Sequence, residues 1–208
     1  MTSPKSNIIL LHGRWPERIN GMLIKDIPLC DSTNEGNWMG WTKRQLEERG
    51  YTVDCPMVAD AWKAPYEDWV RELEKLVVNE DTILVALSAG AYVVLRWLAE
   101  TGKKVKKVIL IAPGSKTIIT KENLEQQQRG VLPLEEEFYS LEIPSSLRKQ
   151  MKEQTTIIVS SDGPAILQSV ELFKEILDAR VMILENLGHF SFLIKQVPEV
   201  LEEVLKSE

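Results

Sequence analysis

The chain has 208 residues, of which 44% are hydrophobic and 27% charged, as is typical of one soluble globular domain. Its formal net charge of −6 argues against nucleic acid or an anionic membrane as partner, because both attract basic surfaces. No stretch reaches the roughly 18 apolar residues of a membrane span, and the run at 8–11 is too short for a signal-peptide core. Cys30 and Cys55 could form only one disulfide, which a chain of this length does not need. We therefore expect free thiols and a cytoplasmic location.

Short apolar runs alternate with helical patterns along the chain. The runs are rich in Val and Ile without polar alternation, as in parallel strands covered by helices on both faces. They lie at 8–11, 52–55, 82–85, 108–111, 156–159 and 181–184. Helical spacing of apolar residues predicts helices over 38–49, 66–77, 91–99, 166–177 and 197–205, with Asn37 as N-cap of the first. The order predicts a single α/β domain over 1–208, a three-layer αβα sandwich with a six-stranded, mostly parallel sheet.

One interval breaks this rhythm. Residues 113–152 separate the fourth and fifth predicted strands, where a single helix would suffice. A connection this long in a compact domain is usually a functional cover or an inserted subdomain, so we expect a small helical insertion or cap here. Within it, "KENLEQQQRG" and "SSLRKQMKEQ" have helical patterns, and Phe138 and Tyr139 are candidate substrate contacts.

Four residues with reactive side chains follow predicted strands within a few residues: His12, Ser88, Asp162 and His189. Open α/β sheets place their sites at the carboxyl ends of the strands, where residues distant in sequence converge. A serine hydroxyl is a weak nucleophile that needs a neighbouring base, and that base needs an orienting acid. The chain order Ser88, Asp162, His189 is the order of the triad in α/β-hydrolases.

The turn around Ser88 fits a nucleophile elbow. "ALSAG" at 86–90 is similar to the pattern G-x-S-x-G, with Ala86 where the first glycine is expected. We expect the backbone amides of Ala89 and Arg14 to bind the oxyanion, Arg14 lying in the loop "HGRW" at 12–15. Trp15 beside that loop and Leu87 in the elbow are further candidate substrate contacts.

Simpler interpretations exist for each residue. Ser88 and Asp162 could cap helices, and His189 could be a turn histidine. Their joint placement and order favour the triad. His12 is expected to hold the oxyanion loop. No cluster of His, Cys or carboxylate residues has metal-ligand spacing in the sequence, so we expect neither a metal nor a cofactor.

The motifs "LLHG" at 10–13, "LSAG" at 87–90, "SSDG" at 160–163 and "LGHF" at 187–190 resemble those of the α/β-hydrolase superfamily. "NWMGWTKRQLEERGYTVDCPMV" and "YEDWVRELEKL" resemble the small serine hydrolases typified by retinoblastoma-binding protein 9. This resemblance covers most of the chain outside 113–152. It implies a compact six-stranded sheet, little or no cap, no metal, and Ser88, His189 and Asp162 as nucleophile, base and acid. The chain departs from the family pattern at Ala86 and Leu87, where such elbows commonly read Gly-His, and in having one acidic residue before the proline at 164.

The expected function is that of a serine hydrolase, a carboxylesterase acting on small acyl esters through an acyl-enzyme. Its partner would be a small-molecule ester, and the protein would be a monomer or homodimer. Two alternatives stay open. The chain could be a binding protein on a hydrolase scaffold without catalysis, or the triad could cleave amides or thioesters.

Overall fold

The computed structural model describes residues 5–113, 138, 143–162, 170, 173–174 and 177–206. Eight strands lie within these residues: β1 (Asn7–Leu11), β2 (Arg18–Ile19), β3 (Met22–Leu23), β4 (Thr52–Asp54), β5 (Ile83–Leu87), β6 (Lys107–Ile111), β7 (Thr155–Ser160) and β8 (Arg180–Leu184). Six of them form one sheet in the order β4-β1-β5-β6-β7-β8, with every neighbouring pair parallel. The six strands predicted from the apolar runs are all present.

Helices cover both faces of the sheet. The described α-helices are α1 (Trp38–Glu47), α2 (Tyr66–Glu74), α3 (Ala89–Thr101), α4 (Ser145–Met151) and α5 (Pro198–Leu205). The strand side chains alternate between two apolar clusters: Ile9 and Leu11 pack with α2, α3 and α4, whereas Ile8 and Leu10 pack with α1 and α5. This is the predicted three-layer αβα sandwich. None of the helices in the described part of the chain is long and apolar enough to cross a bilayer.

The ends of two helices follow from local chemistry. Asn37 caps α1 through its side-chain oxygen, which accepts the backbone N–H groups of Met39 at 2.9 Å and Gly40 at 3.0 Å. Helix α3 ends at Gly102, whose φ of +65° is the left-handed conformation that glycine adopts most easily. The prediction that Asn37 is the N-cap of α1 is therefore confirmed. The predicted helices at 121–130 and over most of 166–177 lie outside the described residues.

Strands β2 and β3 form a short antiparallel hairpin that we did not predict. Its turn residues, Asn20 and Gly21, both have positive φ, at 51° and 83°. The pair Asn-Gly is a strong signal for this kind of two-residue turn, so "RINGML" could have indicated the hairpin.

A buried cluster of charged side chains links α5 to the sheet. The fully buried Glu203 side chain accepts hydrogen bonds from Lys107 Nζ at 2.6 Å, from Thr156 Oγ1 at 2.8 Å and from Arg180. Burial raises the pKa of Glu203, but the bonds from Arg180, Lys107 and Thr156 outweigh this and lower it to about 2. The carboxylate is therefore charged and compensated at neutral pH.

Candidate active site

Ser88 lies in the turn that joins β5 to α3, and its backbone is strained. Its φ of 53° and ψ of −117° lie in a region that residues with a side chain rarely adopt. The Ser88 N–H donates to Ile111 O at 2.8 Å, which fixes the turn against the neighbouring strand β6. In the described structure its hydroxyl makes no capping bond to α3, so the helix-cap interpretation does not account for this serine.

Two glycines allow the backbone to pass close to this turn. A methyl group built on Gly13 would lie 2.8 Å from Ser88 Cβ and 3.1 Å from Leu87 O, well inside ordinary contact distance. A methyl group built on Gly90 would lie 2.4 Å from His12 O. The loop after β1 and the start of α3 can therefore approach each other only because neither position has a side chain.

Ala86, where the family elbow commonly has glycine, lies inside β5 and not in the turn. It pairs with Leu11 of β1 and Leu110 of β6, and it is fully buried in the cluster under α2 and α3. Its methyl group is part of the core, so the strained turn forms with alanine at this position.

His189 lies within hydrogen-bonding distance of the serine. Its Nε2 atom is 2.8 Å from Ser88 Oγ. His189 reaches solvent, but desolvation by the surrounding protein lowers its pKa from the ordinary value, so the imidazole is neutral and able to accept a proton at neutral pH. The turn that carries it is fixed by Trp38, whose Nε1 donates to Phe190 O at 2.9 Å.

Asp162 lies beside this turn and accepts two hydrogen bonds. The Gly188 N–H lies 3.0 Å from Oδ1 and 3.1 Å from Oδ2, and Ser160 Oγ donates to Oδ1. Ser160 Oγ in turn accepts the Leu187 N–H at 2.9 Å. The Ser160 bond is the main cause that lowers the pKa of Asp162, against the effect of desolvation. Among the described contacts, Asp162 bonds the backbone next to His189 and not the imidazole itself.

His12 holds the loop that faces Ser88. Its Nδ1 lies 2.7 Å from Gly13 O, and its Nε2 accepts the Val58 N–H at 3.0 Å, so the proton must be on Nδ1. The ring is buried and packs against Trp69 with centroids 5.0 Å apart, and burial lowers the pKa of His12. The neutral ring thus connects the loop after β1 to the loop after β4.

A family model described as serine hydrolase matches residues 27–195, which is most of the chain. This chain belongs to the serine hydrolase family. No matching sequence was found among curated proteins.

Solved structures resemble this serine hydrolase over nearly its whole length. The ydeN gene product of B. subtilis is 20% identical, with a TM-score of 0.74 and 98% of each chain covered. An extracellular alpha/beta-hydrolase from Paenibacillus is 14% identical, with a TM-score of 0.64 and coverage of 97% and 98%. A carboxylesterase structure from Nitrososphaera gargenis is 12% identical, with a TM-score of 0.62 and coverage of 99% and 91%. These likenesses show that the serine hydrolase has the α/β-hydrolase fold.

The predicted oxyanion residues of this serine hydrolase lie in two segments near Ser88, the start of α3 and the loop after β1. Ala89 is the first residue of α3, directly after Ser88. The Arg14 side chain packs away from the serine: it donates to Ala64 O at 2.5 Å and lies 3.8 Å over the ring of Phe138. Only the backbone of Arg14 is therefore a candidate for oxyanion binding.

The candidate substrate contacts have different surroundings. Trp15 packs edge-on against Phe192 at 5.5 Å and lines a cavity of about 500 Å³. Leu87 is 1% exposed and Phe138 is 2% exposed, and both lie in the core of the serine hydrolase. The contact of Trp15, Leu87 and Phe138 with substrate stays a prediction. Tyr139 lies outside the described residues.

Sequence reasoning missed three residues that shape the site of the serine hydrolase. Gly13 lies against Ser88, Ser160 donates to Asp162, and Gly188 donates to Asp162. Gly13 could have been found from "LLHG", since a glycine directly after a strand often marks a close backbone approach. Among the described residues, no group of three or more His, Cys, Asp or Glu side chains could hold a metal ion.

Proposed function

We propose that this serine hydrolase is a carboxylesterase that cleaves small-molecule esters with Ser88, His189 and Asp162. One observation carries the proposal: His189 Nε2 lies 2.8 Å from the hydroxyl of a serine whose φ is +53°. A strained strand-to-helix turn exposes the hydroxyl at the edge of the sheet, and a neutral imidazole beside it can take its proton.

The reaction follows from this contact. His189 Nε2 accepts the Ser88 proton as Oγ attacks the ester carbonyl carbon and forms the tetrahedral intermediate. The imidazolium then donates that proton to the departing alcohol oxygen as the carbon–oxygen bond breaks. The same imidazole deprotonates a water molecule, which attacks the acyl-enzyme carbon, and the imidazolium then returns the proton to Ser88 Oγ as the bond between Oγ and the acyl carbon breaks and the acid leaves. No net proton is gained or lost by the protein in the cycle.

Asp162 would act on the charged form of His189. Its carboxylate already lies against Gly188, one residue from the imidazole, and its lowered pKa keeps it ionised at neutral pH. Catalytic hydrogen bonds are often loose in a free enzyme and tighten only with substrate. A rotation of the carboxylate from the Gly188 amide toward His189 Nδ1 would complete the triad.

The developing oxyanion would be bound by the amides of Ala89 and Arg14. Ala89 N–H lies at the start of α3, where the helix dipole favours negative charge. Arg14 follows Gly13, where an added methyl group would lie 2.8 Å from Ser88 Cβ. The tie from His12 to Gly13 keeps this loop in place before substrate arrives, which is what pre-organised stabilisation requires.

The proposal also includes the subfamily, the cellular location, the oligomeric state and the partner. The motifs resemble those of hydrolases of the retinoblastoma-binding protein 9 type, and we place the enzyme with them. We further propose a cytoplasmic monomer or homodimer whose partner is a small-molecule ester rather than nucleic acid or a membrane. Cys30 and Cys55 are free in the structure, in keeping with a reducing compartment.

A fluorophosphonate probe tests the proposal directly. The native protein should be labelled at Ser88, and p-nitrophenyl acetate should be hydrolysed with a burst. Ser88→Ala should abolish both, whereas Ser145→Ala, which alters an exposed serine at the start of α4, should leave both unchanged. A folded protein that is neither labelled nor active would overturn the proposal and favour the alternative, a non-catalytic binding protein on this scaffold.

Amide and thioester hydrolysis are the remaining alternatives within the same chemistry. They use the same nucleophile, so labelling does not separate them from esterase activity. Acetyl derivatives matched in leaving group, presented as ester, thioester and anilide, do separate them by kcat/KM. We expect the oxygen ester to give the highest value.

A further inference from the structure

A cavity of about 500 Å³ lies at the loops that follow β1 and β4, and the residues of the proposed triad are not in its described lining. Its walls come from two loops, one following β1 and one following β4, at residues 12–34 and 57–62. We call it the β1–β4 groove. Its volume is within the range of sites that hold small organic molecules, about 300–1,000 Å³.

The groove lies one strand away from the nucleophile. The sheet order is β4-β1-β5, so the loops after β4 and β1 adjoin the elbow after β5 at the same edge of the sheet. Neighbouring strands are about 4.8 Å apart. His12 and Trp15 line the groove, and between them Gly13 lies against Ser88. The groove and Ser88 therefore adjoin the same loop, at 12–15.

Whether the acyl or the alcohol part of an ester would lie in the groove depends on which side of the reacting carbon the groove is. The leaving alcohol must face His189, because that imidazole returns the proton to it. The described groove walls contain none of residues 187–194, which carry His189. The part of the ester that points away from His189 is the acyl group, so the groove is on the acyl side.

The groove walls are chemically suited to hydrocarbon. Apolar side chains dominate them, among them Trp15, Ile27, Met57 and Trp62. Burial raises the pKa of Cys30 in the wall to about 11, so its thiol is neutral at neutral pH. Three charged residues also line the groove, Lys25, Asp31 and Asp60, and all three are exposed; Asp60 is paired with Lys63 at 3.1 Å. Among these described residues, no charged side chain is buried, so the groove does not require a charged group in the substrate.

The two walls are tied to each other and to the oxyanion loop. Ser32 Oγ donates to Met57 Sδ at 2.6 Å, which joins the loop after β1 to the loop after β4. His12 makes the second tie, between Gly13 O and the Val58 N–H. These two contacts would therefore keep an acyl chain bound between the walls at a fixed position relative to the oxyanion hole.

The geometry points to the β1–β4 groove as the acyl site, taking an uncharged straight-chain acyl group of medium length. At roughly 30 Å³ per carbon, about the share of a water molecule in the liquid, an eight-carbon chain would fill about half of the groove's volume. The inference rests on the proposed esterase activity and changes its substrate class from small to medium-chain acyl esters. It also assigns Ala59 and Met57 to acyl-chain selectivity.

The test compares p-nitrophenyl octanoate with p-nitrophenyl acetate, by the ratio of their kcat/KM values. For the native protein, kcat/KM for octanoate should be at least 10-fold higher than for acetate. Each added methylene should raise kcat/KM by at most about fourfold, which is equivalent to about 0.8 kcal/mol. Ala59→Phe places a ring in the groove, and Met57→Lys places a charge on its exposed wall. Each should lower the ratio at least 10-fold. Val77→Phe places the same ring at an exposed site outside the groove and should leave the ratio unchanged.

A binding measurement keeps the inference separate from the proposed activity. Calorimetric titration of Ser88→Ala with methyl octanoate should show binding that the added Ala59→Phe change weakens at least 10-fold. Normal labelling of Ser88 together with a flat chain-length ratio, or with ratios that both groove variants leave unchanged, would overturn the groove assignment alone. Failure to label Ser88 would overturn the proposed function, and the titration would still decide whether the groove binds the acyl chain.

Discussion

Asp162 binds the backbone of Gly188, the residue that precedes His189, with Gly188 N–H at 3.0 Å from one carboxylate oxygen and 3.1 Å from the other. Ser160 extends this connection, because its hydroxyl donates to Asp162 and accepts from Leu187. The end of β7 is thereby joined to the turn after β8 at the point where the imidazole is carried. The acid thus has a structural task in the free protein as well as its proposed electrostatic one.

These two tasks can be separated by two substitutions. Asp162→Asn keeps an oxygen for Gly188 N–H but removes the charge, so kcat should fall roughly 10²–10⁴-fold with little change in stability. Asp162→Ala removes both the charge and the hydrogen-bond acceptor and should also shift the urea unfolding midpoint to lower concentration. Steady-state kinetics and urea unfolding measure the pair. A kcat for Asp162→Asn within threefold of the native value would show that catalysis does not use the charge.

The rate of labelling by a fluorophosphonate should depend on pH through His189. Desolvation by the surrounding protein lowers the pKa of His189 below its ordinary 6.5, and only the neutral ring can accept the Ser88 proton. The rate should therefore rise with pH through a midpoint below 6.5 and keep more than half of its plateau at pH 6.5. The lowered pKa of Asp162 keeps that carboxylate ionised across this range. A midpoint above 6.5 would contradict the desolvated environment of the imidazole.

Gly13→Ala should damage catalysis more than folding. The new methyl group would lie 2.8 Å from Ser88 Cβ, so the oxyanion loop must move away from the nucleophile. Loss of one oxyanion donor costs roughly 10²–10³-fold in kcat, and we expect a loss of that size. Gly50→Ala is the control: its φ is +83° but nothing lies within 4 Å, so it should cost about 1 kcal/mol of stability and no activity. Equal activity in both variants would remove Gly13 from the site.

Glu203→Gln should weaken the attachment of α5. The exchange leaves Lys107, which is 14% exposed, without its charged partner, at an expected cost of about 3–5 kcal/mol in the free energy of unfolding. Because folding lowers the pKa of Glu203 from 4.5 to about 2, its contribution to stability is complete above pH 4.5 and is lost as the pH falls toward 2. Urea unfolding across this range should show a smaller pH dependence in Glu203→Gln. Glu202→Gln, on the exposed side of the same helix, should behave as the native protein does.

The fold and the order of the candidate site residues could be predicted from short-range patterns. Runs such as 8–11 and 108–111 are apolar without alternation, because strands buried on both faces need apolar side chains at every position, and β1 and β6 form there. Ser88 and His189 follow such runs, and parallel strands bring residues at their carboxyl ends to one edge of the sheet. The β2–β3 hairpin was missed, although its Asn-Gly turn is a local signal.

The sequence by itself determined which side chains reach the catalytic edge of the sheet, since strand periodicity and chain order are local properties. Only the tertiary structure decided their contacts: that Gly13 touches Ser88, that Asp162 bonds Gly188 rather than the imidazole in the described part of the chain, and that a groove opens beside β1. Those contacts join residues far apart in the chain at distances of about 3 Å. The packing of several loops sets such distances together, and no short stretch of sequence records that packing.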